Sequence, residues 1–236
     1  MYLFYVPRFD GGDYLLPEEE SRHCVKVLRL AAGDCLSITD GRGGLFLCRV
    51  VRADAKRCEI TCVERTKGDD RRAFGLHVAV APTKNIERFE WFLEKCTEVG
   101  IDEVTPLLCD RSERRIIHPD RLEKIIVAAM KQSLKTYLPA LHPLTPVREF
   151  LRRPRESSGF IAHCGEGERQ PLHRLYSPGR DAVILIGPEG DFSPDEIRLA
   201  ADNGFLPVSL GQSRLRTETA GIVACHTIHL VNAMER

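Results

Sequence analysis

The 236-residue chain has no run of about 18 apolar residues, so no stretch is long enough to cross a membrane as a helix. Its opening residues lack a basic region followed by an apolar core, so no secretory signal is expected and cytoplasmic residence is the default. The nine cysteines are odd in number and nowhere form C-x-x-C. That speaks against a disulfide framework or a zinc ribbon and for reduced, mostly buried thiols, with no metal. Both common phosphate signatures, G-x-x-x-x-G-K-[ST] and G-x-G-x-x-G, are missing. Neither sign of charge is in excess, since 34 basic residues balance 34 acidic ones. Any contact with nucleic acid must therefore come from local clustering. Internal repeats and low-complexity stretches are absent too.

What is present is ordinary globular material, 43% hydrophobic and 29% charged, enough for a sizeable core in one or two domains. Residues 1–72 read as short strands. Residues 35–39 alternate, Asp40-Gly41-Arg42-Gly43-Gly44 turns, residues 45–51 return as a hairpin partner, and residues 57–64 alternate again. The one helical stretch there is 17–29, with acids in its first turn and bases in its last. These features predict a small β-barrel or sandwich. Lys67-Gly68-Asp69-Asp70-Arg71-Arg72 is a charged break, and the domain boundary is expected there.

Residues 73–236 change character. Strands are predicted at 76–81, 104–108, 159–164 and 182–186, and helices at 86–99 and 122–134. That alternation argues for an α/β domain built on a parallel sheet. Arg148, Arg152, Arg153 and Arg155, within 143–158, read as a solvated basic face. The apolar run 182–186 breaks at Gly187-Pro188-Glu189-Gly190, and Ser193-Pro194-Asp195-Glu196 is a capping box that opens a helix. Residues 208–220 repeat the plan: strand, Gly211, loop, and a helix from about Glu218 to 231 that Thr217 or a neighbour caps. Either loop alone fits a purely structural turn. Two of them about twenty residues apart let two backbones approach one ligand.

These two loops, I-G-P-E-G-D-F-S-P-D-E-I and L-G-Q-S-R-L-R-T-E-T-A, resemble the cofactor loops of the 16S ribosomal RNA uridine-N3 methyltransferases (the RsmE type) of the SPOUT superfamily. Further matches are His23-Cys24-Val25-Lys26-Val27-Leu28-Arg29, Gly33-Asp34, Asp40-Gly41, Lys84, residues 94–100, Pro106, Arg111-Ser112 and Gln132-Ser133, so the likeness covers nearly the whole chain. It implies a PUA-like RNA-binding β-barrel over 1–72. It also implies a SPOUT methyltransferase domain over 73–236, a parallel sheet with helices on both faces and a trefoil knot near the C-terminus. S-adenosylmethionine as cofactor, 16S ribosomal RNA as partner in the small ribosomal subunit, and a homodimer follow from the same likeness. The chain departs from the family in three places: Asp191 where a second glycine is usual, Ser213-Arg214 where an arginine and an aliphatic residue are usual, and Lys131 where a glutamate is common.

On this resemblance the cofactor-binding candidates are Ile186, Gly187, Glu189, Gly190, Leu210, Gly211, Leu215, Arg216 and Thr217. Leu210 and Leu215 would wall the adenine. The catalytic candidates are Arg216, whose fixed charge can meet a uracil oxyanion, and Glu218. Glu189 or Glu218 would orient Arg216 or relay the proton; the alternative for Arg216 is a structural salt bridge to Glu218 or Glu189, and for Glu189 a loop-shaping role. His163-Cys164, at the end of the strand before the first loop, either line the same pocket or are simply polar rim (His163) and core (Cys164). The RNA-binding candidates are Arg8, Arg22, Lys26, Arg29, Arg42, Lys84, Arg111, Gln132 and Lys135. Two rival functions stand beside this one. One is a catalytically silent RNA-binding module; the other is a nucleotide-phosphate enzyme using the helix N-terminus at Ser193.

Overall fold

The computed structural model describes residues 2–68, 71–165 and 167–234; Asp69 and Asp70 of the charged break lie outside them. The chain forms two compact units, Met1–Arg71 with Met130–Leu138, and Arg72–Ala129 with Pro139–Arg236.

In the first unit β1 (Leu3–Tyr5), β2 (Tyr14–Leu15), β3 (Cys35–Thr39), β4 (Gly44–Arg52) and β5 (Glu59–Lys67) form one sheet in the order β1-β3-β4-β5-β2. All its pairs are antiparallel except β1 with β3. The β3–β4 hairpin turns because Gly41 and Gly43 take φ of 73° and 91°, and Asp40 Oδ1 accepts from Arg42 N and Gly44 N at 2.7 and 2.9 Å. Phe4, Ile38, Phe46, Val50 and Ile60 fill the core. The expected single helix is instead an α-turn, α1 (Glu18–Arg22), that widens into a π-helical turn (His23–Val27). Cys24 on the wide turn is buried, its Sγ 3.8 Å from that of Cys58. Lys131 bonds Glu20 at 2.5 Å and lies over the Phe4 ring, so the residue that departs from the family pattern has a local acidic partner.

The second unit carries β6 (Leu76–Val80), α2 (Ile86–Val99), β7 (Glu103–Leu108), α3 (Pro119–Gln132, whose last residues belong to the first unit), β8 (Ala140–Leu141), β9 (Thr145–Pro146) and α4 (Val147–Leu151). There follow β10 (Ser158–Ala162), β11 (Gln170–Pro171), α5 (Leu172–Leu175), β12 (Ala182–Ile186), α6 (Pro194–Asp202), β13 (Leu206–Ser209) and α7 (Thr217–Met234). The sheet runs β11-β13-β10-β12-β6-β7-β8, with β9 beside β7, and every pair is parallel. β12 lies inside this sheet and all five of its residues are buried, which is why its sequence is continuously apolar. Val183 and Leu185 face α4 and α6 through Phe150, Leu151, Phe192 and Ala200, while α2, α5 and α7 pack together on the other face. The parallel sheet with helices on both faces is thus as expected.

Residues 143–158 bear out the expected solvated basic face at Arg148, Arg152 and Arg153, which are exposed, while Arg155 is half-buried and the short helix here also has an apolar side. Val147, Phe150 and Leu151 of α4 are buried, Arg148 bonds Asp110 at 2.9 Å, and Arg153 bonds Glu149 at 2.6 Å. The Arg155 guanidinium stacks 3.7 Å over the Phe205 ring. Charge counting could not see an apolar stripe only three residues strong. Among the described residues no helix is long and apolar enough to cross a membrane.

Candidate functional site

In parallel α/β sheets the loops at the carboxyl ends of the strands gather ligands. Here the loops after β6, β12 and β13 meet at that end. The β12 loop is braced from three sides. Glu189 Oε1 accepts from Lys84 N at 2.9 Å, and Arg111 Nη1 donates to Gly190 O at 2.9 Å and Phe192 O at 3.3 Å. Arg114 in turn donates to the carbonyls of Thr83 and Lys84 at 2.9 and 2.5 Å. A Cβ on Gly187 would press on the Phe192 ring at 3.1 Å, and one on Gly190 would sit 3.2 Å from Arg111 Cβ. Close packing inside the protein accounts for both glycines. Asp191, where the family usually has glycine, adopts the left-handed conformation at φ 62°, a region Asp tolerates better than most residues. Its carboxylate accepts from Cys164 N at 2.7 Å and Phe192 N at 2.8 Å.

The capping box is complete. Glu196, fully buried, accepts from Ser193 N and Asp110 N, both at 2.7 Å; Ser193 Oγ accepts from Glu196 N at 3.3 Å and donates to Asp110 Oδ2 at 2.7 Å. The Ser193 and Arg148 hydrogen bonds hold the Asp110 carboxyl below its ordinary range. The carboxylates of Asp110, Asp195 and Glu196 crowd the start of α6 and oppose a phosphate there, which weighs against the nucleotide-phosphate rival.

The β13 loop is open by contrast. Gly211 has φ 123°, and a Cβ placed on it would meet nothing within 4 Å. Its N–H and C=O are tied to Ser209 Oγ, whereas the amides of 212–215 have no partner among the described residues. Leu210 and Leu215 are half-buried beside them. The two loops are joined by one buried bond, Thr217 Oγ1 donating to Gly187 O at 3.1 Å. Free backbone donors, apolar side chains and unfilled space suit a ligand with a nucleoside and an amino-acid part.

Arg216 closes this loop. Its carbonyl accepts the first α7 bond from Ala220 N at 2.8 Å, and its side chain is exposed, with no partner among the described residues. Neither candidate carboxylate holds it: Glu189 is engaged with Lys84 N, and Glu218, 6% exposed, faces Arg88 Nε at 3.9 Å. Arg88, Arg114 and Asp110 were not legible as site residues, because each finds its partner across a long sequence separation with no local pattern to mark it. His163 and Cys164 reverse their expected places. His163 is buried, and that burial lowers its pKa; Cys164 is exposed. The strand stops at Ala162, so inward and outward alternation no longer applies beyond it.

Of the RNA candidates, Arg8, Arg22, Lys26, Arg29 and Arg42 are exposed in the first unit, and Arg8 and Arg29 stand in left-handed backbone at φ 65° and 57°. Gln132, exposed, and Lys135, half-buried, belong to that unit as well. Arg22 pairs with Glu18 at 2.8 Å and Lys84 with Glu113 at 2.8 Å. Arg111 is occupied by the carbonyls of the first loop.

A family model described as an RNA methyltransferase domain matches residues 70–229, and one described as an RNA methyltransferase PUA domain matches 16–62. The ribosomal RNA small subunit methyltransferase E of Rickettsia conorii is 28% identical over 222 residues, covering 92% of this chain and 90% of that protein. A probable rRNA-methyltransferase structure from Porphyromonas gingivalis superposes with TM-score 0.94 at 44% identity over 100% of both chains. A ribosomal RNA small subunit methyltransferase E from Neisseria gonorrhoeae, bound to S-adenosyl methionine, superposes with TM-score 0.86 at 26% identity over 98% of both chains.

Proposed function

Because the chain belongs to the RNA methyltransferase family, whose model spans residues 70–229, we propose that it transfers a methyl group from S-adenosylmethionine to small-subunit ribosomal RNA. One observation carries the reading. Thr217 Oγ1 ties the end of the open β13 loop to Gly187, and the neighbouring Arg216 is exposed with no partner among the described residues. The finer substrate, N3 of a uridine in 16S ribosomal RNA, rests on the likeness of both loops to the uridine-N3 enzymes.

Bound S-adenosylmethionine supplies an electrophilic methyl group on a sulfonium. Residues 210–215 would hold it through backbone amides and the Leu210 and Leu215 side chains, with Ile186, Gly187, Glu189, Gly190 and Thr217 as the facing wall. Uridine N3 lies on the Watson–Crick edge, so the base must be unpaired or extruded to reach them. N3 gives up its proton to solvent before it attacks, and the exposed Arg216 guanidinium stabilises the uracil oxyanion that results. Glu218 acts by position: a buried carboxylate in the first turn of α7, where the helix dipole favours negative charge, it fixes the helix that Arg216 introduces.

Arg8, Arg22, Lys26, Arg29, Arg42, Gln132 and Lys135 are the proposed RNA contacts of the first unit, and Lys84 that of the second. The exposed pairs of Arg22 and Lys84 exchange readily for phosphate. Arg111 is proposed as a brace of the cofactor loop. We further assign the chain a cytoplasmic setting and a homodimer; the exposed Trp91, Leu230 and Met234 of the packed helices α2 and α7 support the latter. The knot implied by the likeness is part of the same proposal, and the parallel β12 and β13 on either side of β10 support it. Adding S-adenosylmethionine should raise Tm in a concentration-dependent way while ATP leaves it unchanged. Stabilisation by ATP, or by neither ligand, overturns the assignment.

A further inference from the structure

A second set of chemically capable side chains lies at the amino ends of the strands, across the sheet from the cofactor loops. His77 of β6 pairs in register with Glu103 of β7, and Glu103 with Ala140 of β8. The β7–β8 ladder continues by one bond, His142 N donating to Val104 O at 2.8 Å, so His142 falls beside Thr105. Register partners share a pleat face, as do residues two apart along a strand. His77, Glu103, Thr105 and His142 therefore stand on one face of three adjacent strands. His142 Nε2 lies 2.7 Å from Glu103 Oε2, and His77 Nδ1 lies 4.0 Å from the same oxygen. One donor atom from each of His77, Glu103 and His142 falls within 4.8 Å of the others.

We propose that His77, Glu103 and His142 bind a divalent transition metal of the zinc class. Two imidazoles and one carboxylate are a zinc donor set, and donors around a tetrahedral ion with bonds of about 2.1 Å stand roughly 3.4 Å apart. To reach that spacing the Glu103–His142 pair opens from 2.7 Å and the His77–Glu103 pair closes from 4.0 Å. Glu103 and His142 are 48% and 35% exposed and free to turn. His77 is the fixed member: its Nε2 is hydrogen-bonded to Thr105 Oγ1 at 2.8 Å and its ring packs against Phe150. That bond directs Nδ1 to the metal, as outer-shell partners of ligating histidines do. The fourth position opens on a cavity of about 380 Å³ whose lining includes Arg153, Ser157 and Asp181, with room for water or a small anion. An ion here would clip the three strands together without touching the methyl-transfer loops.

The test is isothermal titration of zinc chloride into chelator-treated full-length protein, with circular dichroism confirming that each variant is folded. The expected result is one ion per chain, bound roughly 10-fold or more weakly in His142→Ala, in Glu103→Gln and in Thr105→Val. Cobalt(II) at the site should give visible d–d bands without a thiolate charge-transfer band. Absence of saturable uptake overturns the proposal. So does uptake unchanged in His142→Ala and Glu103→Gln, or a thiolate band showing that cysteines hold the ion.

Discussion

At the scale of single residues, Arg216 and Gly211 separate chemistry from binding. Arg216→Ala removes the charge proposed to face the reacting base and leaves the β13 loop intact. Its kcat should fall about 100-fold or more, with S-adenosylmethionine affinity by calorimetry essentially unchanged. Gly211 has a positive φ and open space beyond it, so a bulky side chain both strains the turn and fills the proposed ligand volume. Gly211→Leu should abolish cofactor binding while far-UV circular dichroism stays native; unaltered affinity would remove Gly211 from the site. His77 makes a prediction about acid. Burial, reinforced by His142 and Arg153 and opposed by Glu103, lowers its pKa to about 4. The unfolded chain, with an ordinary histidine near 6.5, then binds more protons between those values. Stability should be complete above about pH 6.5 and decline toward pH 4, by at most of order 3 kcal/mol from this group. In chelator, His77→Gln should flatten that part of the curve of unfolding free energy against pH.

Elements show how sequence and packing divide the work. The capping box at Ser193 was legible because its donors and acceptors lie three residues apart, and β12 because a strand covered on both faces has no reason to alternate. Ser193→Ala should cost about 1 kcal/mol in chemical denaturation, as loss of an N-cap commonly does. The Asp110 carboxylate beside it, held low by Ser193 and Arg148, contributes stability that is present above its unfolded pKa and lost as pH falls through its folded one. The helix α7 was legible by its apolar positions, yet its tightest constraint was not. A Cβ on Gly221 would come within 2.4 Å of the Phe92 ring on α2. Gly221→Leu should therefore overpack the α2–α7 contact and lower stability by about 1–3 kcal/mol, read as a reduced denaturation midpoint with unchanged m-value. Two-residue strands such as β8 and β11 carry no periodicity, and the π-helical turn after α1 looks in sequence like any helix. Neither could be read before the structure.

For the whole molecule, the parallel domain and the strand-rich N-terminal unit were legible from the changing period of the apolar residues. The ligand was not. Glycine loops admit many ligands, and only the resemblance of both loops to known ones narrowed them to S-adenosylmethionine. The cluster of His77, Glu103 and His142 was invisible for a related reason: parallel pairing brings together residues 77, 103 and 142, which share no motif. The proposed RNA contacts also act collectively. Arg29→Glu should weaken binding of small-subunit RNA and make log K fall less steeply with log salt, since fewer counterions are released; an unchanged Kd at fixed salt would exclude Arg29 from the contact. The most direct measurement is nucleoside mass spectrometry of small-subunit ribosomal RNA after incubation with the purified protein and methyl-labelled S-adenosylmethionine. The account predicts label in 3-methyluridine with the native protein and almost none with Arg216→Ala. Label in another nucleoside, no label at all, or full activity in Arg216→Ala would contradict it.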